Sequence, residues 1–111
     1  MIIATRYLSL ETDAGPVRLA IRLRQPQVWK GLSRCDHEYD WPGEPSKSYA
    51  VGNDEIHAIF MAMQKIAQDL YMSRAHGERR LSWNKPWVGY GFPMPANGRD
   101  LLIGDDKRFY G

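Results

Sequence analysis

The chain has one cysteine, Cys35, among 111 residues, so no disulfide can form within it and its stability has to come from packing. A reducing cytoplasm is the location this fits. Long hydrophobic runs are missing too: the unbroken apolar stretches are only a few residues, well short of the roughly 20 that a membrane-crossing helix needs. The opening residues MIIATRYLSLETD carry an early arginine where a signal peptide would place its apolar block, so neither export nor a membrane partner is expected. Neither sign of charge dominates, and a formal net charge of +2 falls short of the basic footprint of a dedicated nucleic-acid binder. No glycine-rich loop joins a strand to a helix. At residues 51–54, VGND has one glycine and an acid where a phosphate would sit. Internal repeats, low-complexity tracts and a serine elbow are absent. With a quarter of its residues charged, the chain reads as an ordinary globular domain.

What is present centres on residues 54–72, DEIHAIFMAMQKIAQDLYM. Ile56, Ile59, Phe60, Met63, Ile66, Ala67 and Leu70 recur at steps of three and four, which predicts one helix with a continuous apolar stripe facing the core. Ala58 and Ala62 lie beside that stripe. Asp54 or Asn53 is placed to cap the first turn, and Gly77 to close the helix in a left-handed conformation.

Upstream the period changes to two. Residues 2–11 alternate loosely, residues 17–24 alternate without a break, and 33–41 put Cys35, His37, Tyr39 and Trp41 on one face and Asp36, Glu38 and Asp40 on the other. Turn chemistry at Asp13-Ala14-Gly15-Pro16 joins the first two as a hairpin. Residues 25–30 read as a loop. If the second and third strands are neighbours, arginines 18, 22 and 24 meet the three carboxylates across the sheet. Lys47, Tyr49 and Val51 mark a fourth strand, and residues 79–84 a short fifth. The expected fold is α+β, an antiparallel sheet of four to five strands packed on one long α-helix as a two-layer sandwich. Residues 1–95 form the domain and 96–111 a weakly held C-terminal extension; residues 86–98 lack regular structure.

The order of Trp29, Cys35 and Tyr39 on a strand, Val51-Gly52 with Asp54 opening an alanine-bearing helix, and then Gly91-Phe92-Pro93 with Pro95 resembles a group of small uncharacterised bacterial proteins catalogued as a domain of unknown function. The resemblance spans residues 2–95. It implies a bacterial cytoplasmic single domain and supplies no catalytic residues.

Candidate sites are sparse. Cys35, His37 and His57 are soft ligands, but a zinc site needs three or four converging donors, and a buried thiol beside a core histidine explains them better; no metal or cofactor is expected. Asp36, His37 and Glu38 could serve a hydrolase, although strand alternation points them to opposite faces. Arg74, Arg79 and Arg80 with Trp83 and Trp87 combine cations with stacking rings, as a single-stranded nucleic-acid binder would. The leading expectation is a non-catalytic protein-binding domain, in its most concrete form an immunity-type inhibitor that occludes a bacterial toxin. It rests on the absence of a convincing site, on small size, and on Trp29, Trp41, Trp87, Tyr90, Phe92, Arg79 and Arg80, residue types enriched at protein interfaces; the alternative for the aromatic rings is a second layer of the core.

Overall fold

A computed structural model describes residues 1–110. The fold is α+β: six antiparallel strands form one sheet, and the long helix packs on it. β1 (Ile2–Thr12) and β2 (Gly15–Arg24) are neighbours, joined by the expected turn. There the Thr12 hydroxyl donates to the Gly15 carbonyl at 2.6 Å and accepts from the Ala14 N–H at 3.3 Å.

The loop expected at 25–30 is instead interrupted by a strand. Pro26 has no N–H to give to a ladder, yet beyond it β3 (Gln27–Trp29) pairs with β4 (Leu32–Tyr39) in the register Trp29↔Leu32. Only Lys30 and Gly31 lie between them, at φ 51° and 78°. Two consecutive left-handed residues make the turn whose twist matches paired strands. β5 (Ser46–Gly52) then pairs with β4 along its length, Tyr39↔Ser46 through Ser33↔Gly52. The short β6 (Leu81–Ser82) pairs with Leu10 and Ser9 of β1. The sheet order is β3-β4-β2-β1-β6, with β5 also on β4.

α1 (Glu55–Tyr71) starts where the sequence places it. Asp54 Oδ1 accepts the His57 N–H at 2.8 Å, and His57 Nδ1 accepts the Asn53 N–H at 2.9 Å, a reciprocal cap of the first turn. The stripe, however, is corrected over the first half of the helix. Ile66, Ala67 and Leu70 are buried as expected, but so are Ala58 and Ala62, whereas Ile56 is 79% and Phe60 44% exposed; Ile59 and Met63 are half-buried. The cause is close approach. A side chain on Gly52 would collide with the backbone of His57 and Ala58, so at this end only alanines fit on the inner face and the large residues are rolled outward. After Tyr71 the Ser73 hydroxyl accepts the His76 N–H and caps α2 (Arg74–Gly77). The left-handed residue that follows is Arg79, φ 57°, not Gly77.

The chain forms two compact units. In the first, Met1–Tyr7 with Leu19–Met63, Leu19, Ile21, Leu23, Cys35 and Tyr39 are buried together with Ala58 and Ala62. In the second, Leu8–Arg18 with Gln64–Gly111, the buried set is Leu8, Leu10, Ile66, Leu70, Tyr71, Leu81, Tyr90, Phe92, Met94 and Leu102. Over the C-terminal residues a 3₁₀ helix (Ala96–Leu101) and α3 (Gly104–Tyr110) follow, with Leu102 and Asp106 buried. Gly104 lies so close to the Val88 backbone that a side chain there would clash. Gly111, the last residue of the expected extension, lies outside the described residues. Among the described residues no helix is long and apolar enough to cross a membrane.

Candidate functional site

In the first unit the charged face of the sheet is closed by its own ion pairs. Arg22 makes a two-pronged pair with Asp40 at 2.8 and 2.6 Å, and Arg24 a second with Glu38 at 3.3 and 3.1 Å. These are the cross-strand partners that alternation implies, joined on the diagonal. The guanidinium of Arg22 holds the Asp40 carboxyl below the usual carboxylate range. Asp36 departs from the expectation by pairing at 2.7 Å with Arg34 of its own strand, whose guanidinium also lies 3.7 Å over the Tyr49 ring. A surface recess of about 190 Å³ lies among Arg24, Arg34, Asp36, Glu38, Lys47 and Tyr49 and is bordered also by His37 and Ser48. His37 is only 1% exposed and packs edge-on to Tyr39. The Asp36 and Glu38 carboxylates are thus engaged by arginines, while the imidazole is buried against an aromatic ring.

Cys35 is fully buried, its thiol donating to the Arg24 carbonyl at 3.4 Å. Burial, and then the charge of Asp36, push its pKa up. His57 is committed to the helix cap. Among the described residues no three His, Cys, Asp or Glu side chains are grouped to hold a metal ion.

The residues expected at an interface divide. Trp29 is half-buried against Tyr49, with the Lys30 ammonium 4.7 Å from its ring centre. Trp41 is half-buried beside Tyr39. Both leave part of their surface in water. Trp87 is 37% exposed, stacked at 5.1 Å on His76, and lies under the Arg79 guanidinium at 4.3 Å. Arg80 is held by Glu78 and by the Glu11 carbonyl, while Glu78 also receives Arg74. Tyr90 and Phe92 are corrected: at 1% and 6% exposure they are core side chains and offer no surface.

Two arrangements were not anticipated. The first is the outer face of α1, where Ile56 and Phe60 stand one turn apart in water, with Met61 also exposed. The second is a buried polar cluster in the second unit. The Asp106 carboxylate, 2% exposed, accepts from the Tyr71 hydroxyl at 2.6 Å, the Tyr90 N–H at 2.7 Å and the Gly91 N–H at 2.8 Å. The Tyr90 hydroxyl lies 2.5 Å from Nδ1 of His76. Burial lowers the pKa of His76, and a neutral ring accepts at Nδ1 from the phenol. Burial first, and then Asp106, raise the Tyr71 and Tyr90 phenols well above their ordinary range. The one signal for this cluster in the sequence is Gly89-Tyr90-Gly91, glycines at φ 98° and 75° around the bonded amides.

No curated protein and no solved structure compared with the chain gives a match. A family model does match, over residues 4–94, taking in β1 from Ala4 onward, the other five strands, α1 and α2, and stopping before the 3₁₀ helix. By that match the chain belongs to the family described as a domain of unknown function, DUF6968.

Proposed function

We propose that this is a non-catalytic protein-binding domain that acts by covering part of its partner. The observation that carries the reading is the outer face of α1. Ile56 and Phe60 are set side by side in water, flanked by half-buried Ile59 and Met63. Large apolar side chains grouped on a regular, rigid element are the usual anchor of a helix-face interface. Burying each against a partner is worth about 1.5–3 kcal/mol gross. On the sheet Arg22, Arg24 and Arg34 are already engaged with Asp40, Glu38 and Asp36, which suits steric occlusion better than chemistry. In its most concrete form the partner is a bacterial toxin and the domain its cytoplasmic immunity protein.

The single-stranded nucleic-acid reading is carried less far, because Trp87 is already stacked by His76 and Arg79, and Arg74 and Arg80 are paired through Glu78. The hydrolase reading is likewise weakened by the separation of His37 from the arginine-bound carboxylates of Asp36 and Glu38.

The test is affinity retention of proteins from the native host, together with co-production with a toxin encoded beside this gene. The wild-type chain should retain a protein or restore growth, and a double Ile56→Ser, Phe60→Ser variant should do neither while remaining folded. Equal retention by both chains would remove α1 as the binding face; no retained protein and no protection would remove the reading itself.

A further inference from the structure

The second unit contains a receptor that is filled by the chain itself. Three neutral donors converge on one buried carboxylate: the Tyr71 hydroxyl and Tyr90 N–H on Oδ2, and the Gly91 N–H on Oδ1. The two amides are consecutive, one preceded by Gly89 and the other carried by Gly91, both at positive φ, and successive N–H groups in such a turn make an anion-binding concavity. Room for the anion is built into the loop. A side chain on Gly89 would land on the Asp106 carboxyl group.

Receptor and occupant come from different parts of the chain. Tyr71, Tyr90 and Gly91 lie within the family match at 4–94, and Asp106 lies beyond it. Among residues 104–109 only Asp106 is buried, so this part of α3 is seated chiefly by its carboxylate, with the Asp105 N–H to Val88 carbonyl bond at 2.7 Å beside it. A short helix docked through one anionic group is bound in the manner of a ligand.

We propose that Tyr71, Tyr90 and Gly91 form a carboxylate-binding site that Asp106 occupies in cis, and that an external carboxylate takes the site when Asp106 is removed or withdrawn. The ligand class is a carboxylate because two in-plane oxygens are shared among three donors that include no cation. A group recognised by charge alone would call for lysine or arginine. α3 is then a strap whose release exposes the receptor.

The test is thermal unfolding of full-length Asp106→Ala in sodium formate or acetate against sodium chloride at matched ionic strength. The variant should melt below wild type in chloride and regain about 3–6 °C, saturably, near ~0.1 M formate or acetate. Wild type should show no such gain, and adding Tyr71→Phe should reduce it. Should Asp106→Ala be unfolded in chloride, Asp106→Ser, whose hydroxyl satisfies one amide, is measured in the same way. The absence of a carboxylate-specific gain in both variants, or an equal gain from phosphate, overturns the proposal.

Discussion

Single atoms decide where the large pieces go, and Gly52 is the clearest case. Its φ is ordinary, so what the position needs is the missing side chain, which lets β5 run directly under the first turn of α1. Gly52→Ala should therefore destabilise by roughly 1–3 kcal/mol, as overpacking a tight contact does; urea unfolding measures it. His76 sets a different dependence. Because burial lowers its folded pKa, below its ordinary 6.5 the unfolded chain takes up a proton that the folded chain resists. Stability should be unaffected by this group above about pH 6.5 and fall as the pH drops from there towards the folded value. Melting temperatures across about pH 5–8 should show that slope in wild type, and a shallower one in His76→Gln. At this scale the cap of α1 was legible, because Asp54 and His57 are three residues apart. Asp106 was not, since the Tyr71 hydroxyl lies 35 residues away in the chain and the Gly91 amide 15, and local pattern carries no information over such separations.

Among the elements, strands were legible wherever one face is buried, as alternation in β4 shows; in β2 Leu19, Ile21 and Leu23 are inward as alternation implies, but Ala20 is buried with them and Val17 is exposed. β3 was hidden because Pro26 breaks the run and three residues are too few to display a period. Its hairpin is held by Lys30-Gly31, which makes a direct prediction. Gly31→Ala meets no steric obstacle but must hold φ 78°, so its cost is backbone strain alone, about 1–2 kcal/mol in urea unfolding. The helix itself was legible, while the orientation of its first half was not. Periodicity identifies which residues can share a face, but the choice between the bulky face and the alanine face is made by how near the neighbouring backbone comes. Here that distance is set by Gly52, so Ala58 and Ala62 go inside and Ile56 and Phe60 outside. The C-terminal residues show the same limit: within residues 104–109 no apolar side chain is buried to betray that α3 is seated, and what is buried is a carboxylate.

For the molecule as a whole, the sequence pointed correctly to an α+β fold of a family of unknown function, and the match over residues 4–94 establishes that membership. The reading of this chain as a binding domain depends on α1 carrying an outer apolar face that folding leaves unused. Urea unfolding of the double variant Ile56→Ser, Phe60→Ser tests that most directly. If these side chains serve a partner, its stability stays within about 0.5 kcal/mol of wild type, as for substitutions outside the core. A loss of about 4 kcal/mol or more, the scale of emptying core positions, would place both residues inside the fold and contradict the account.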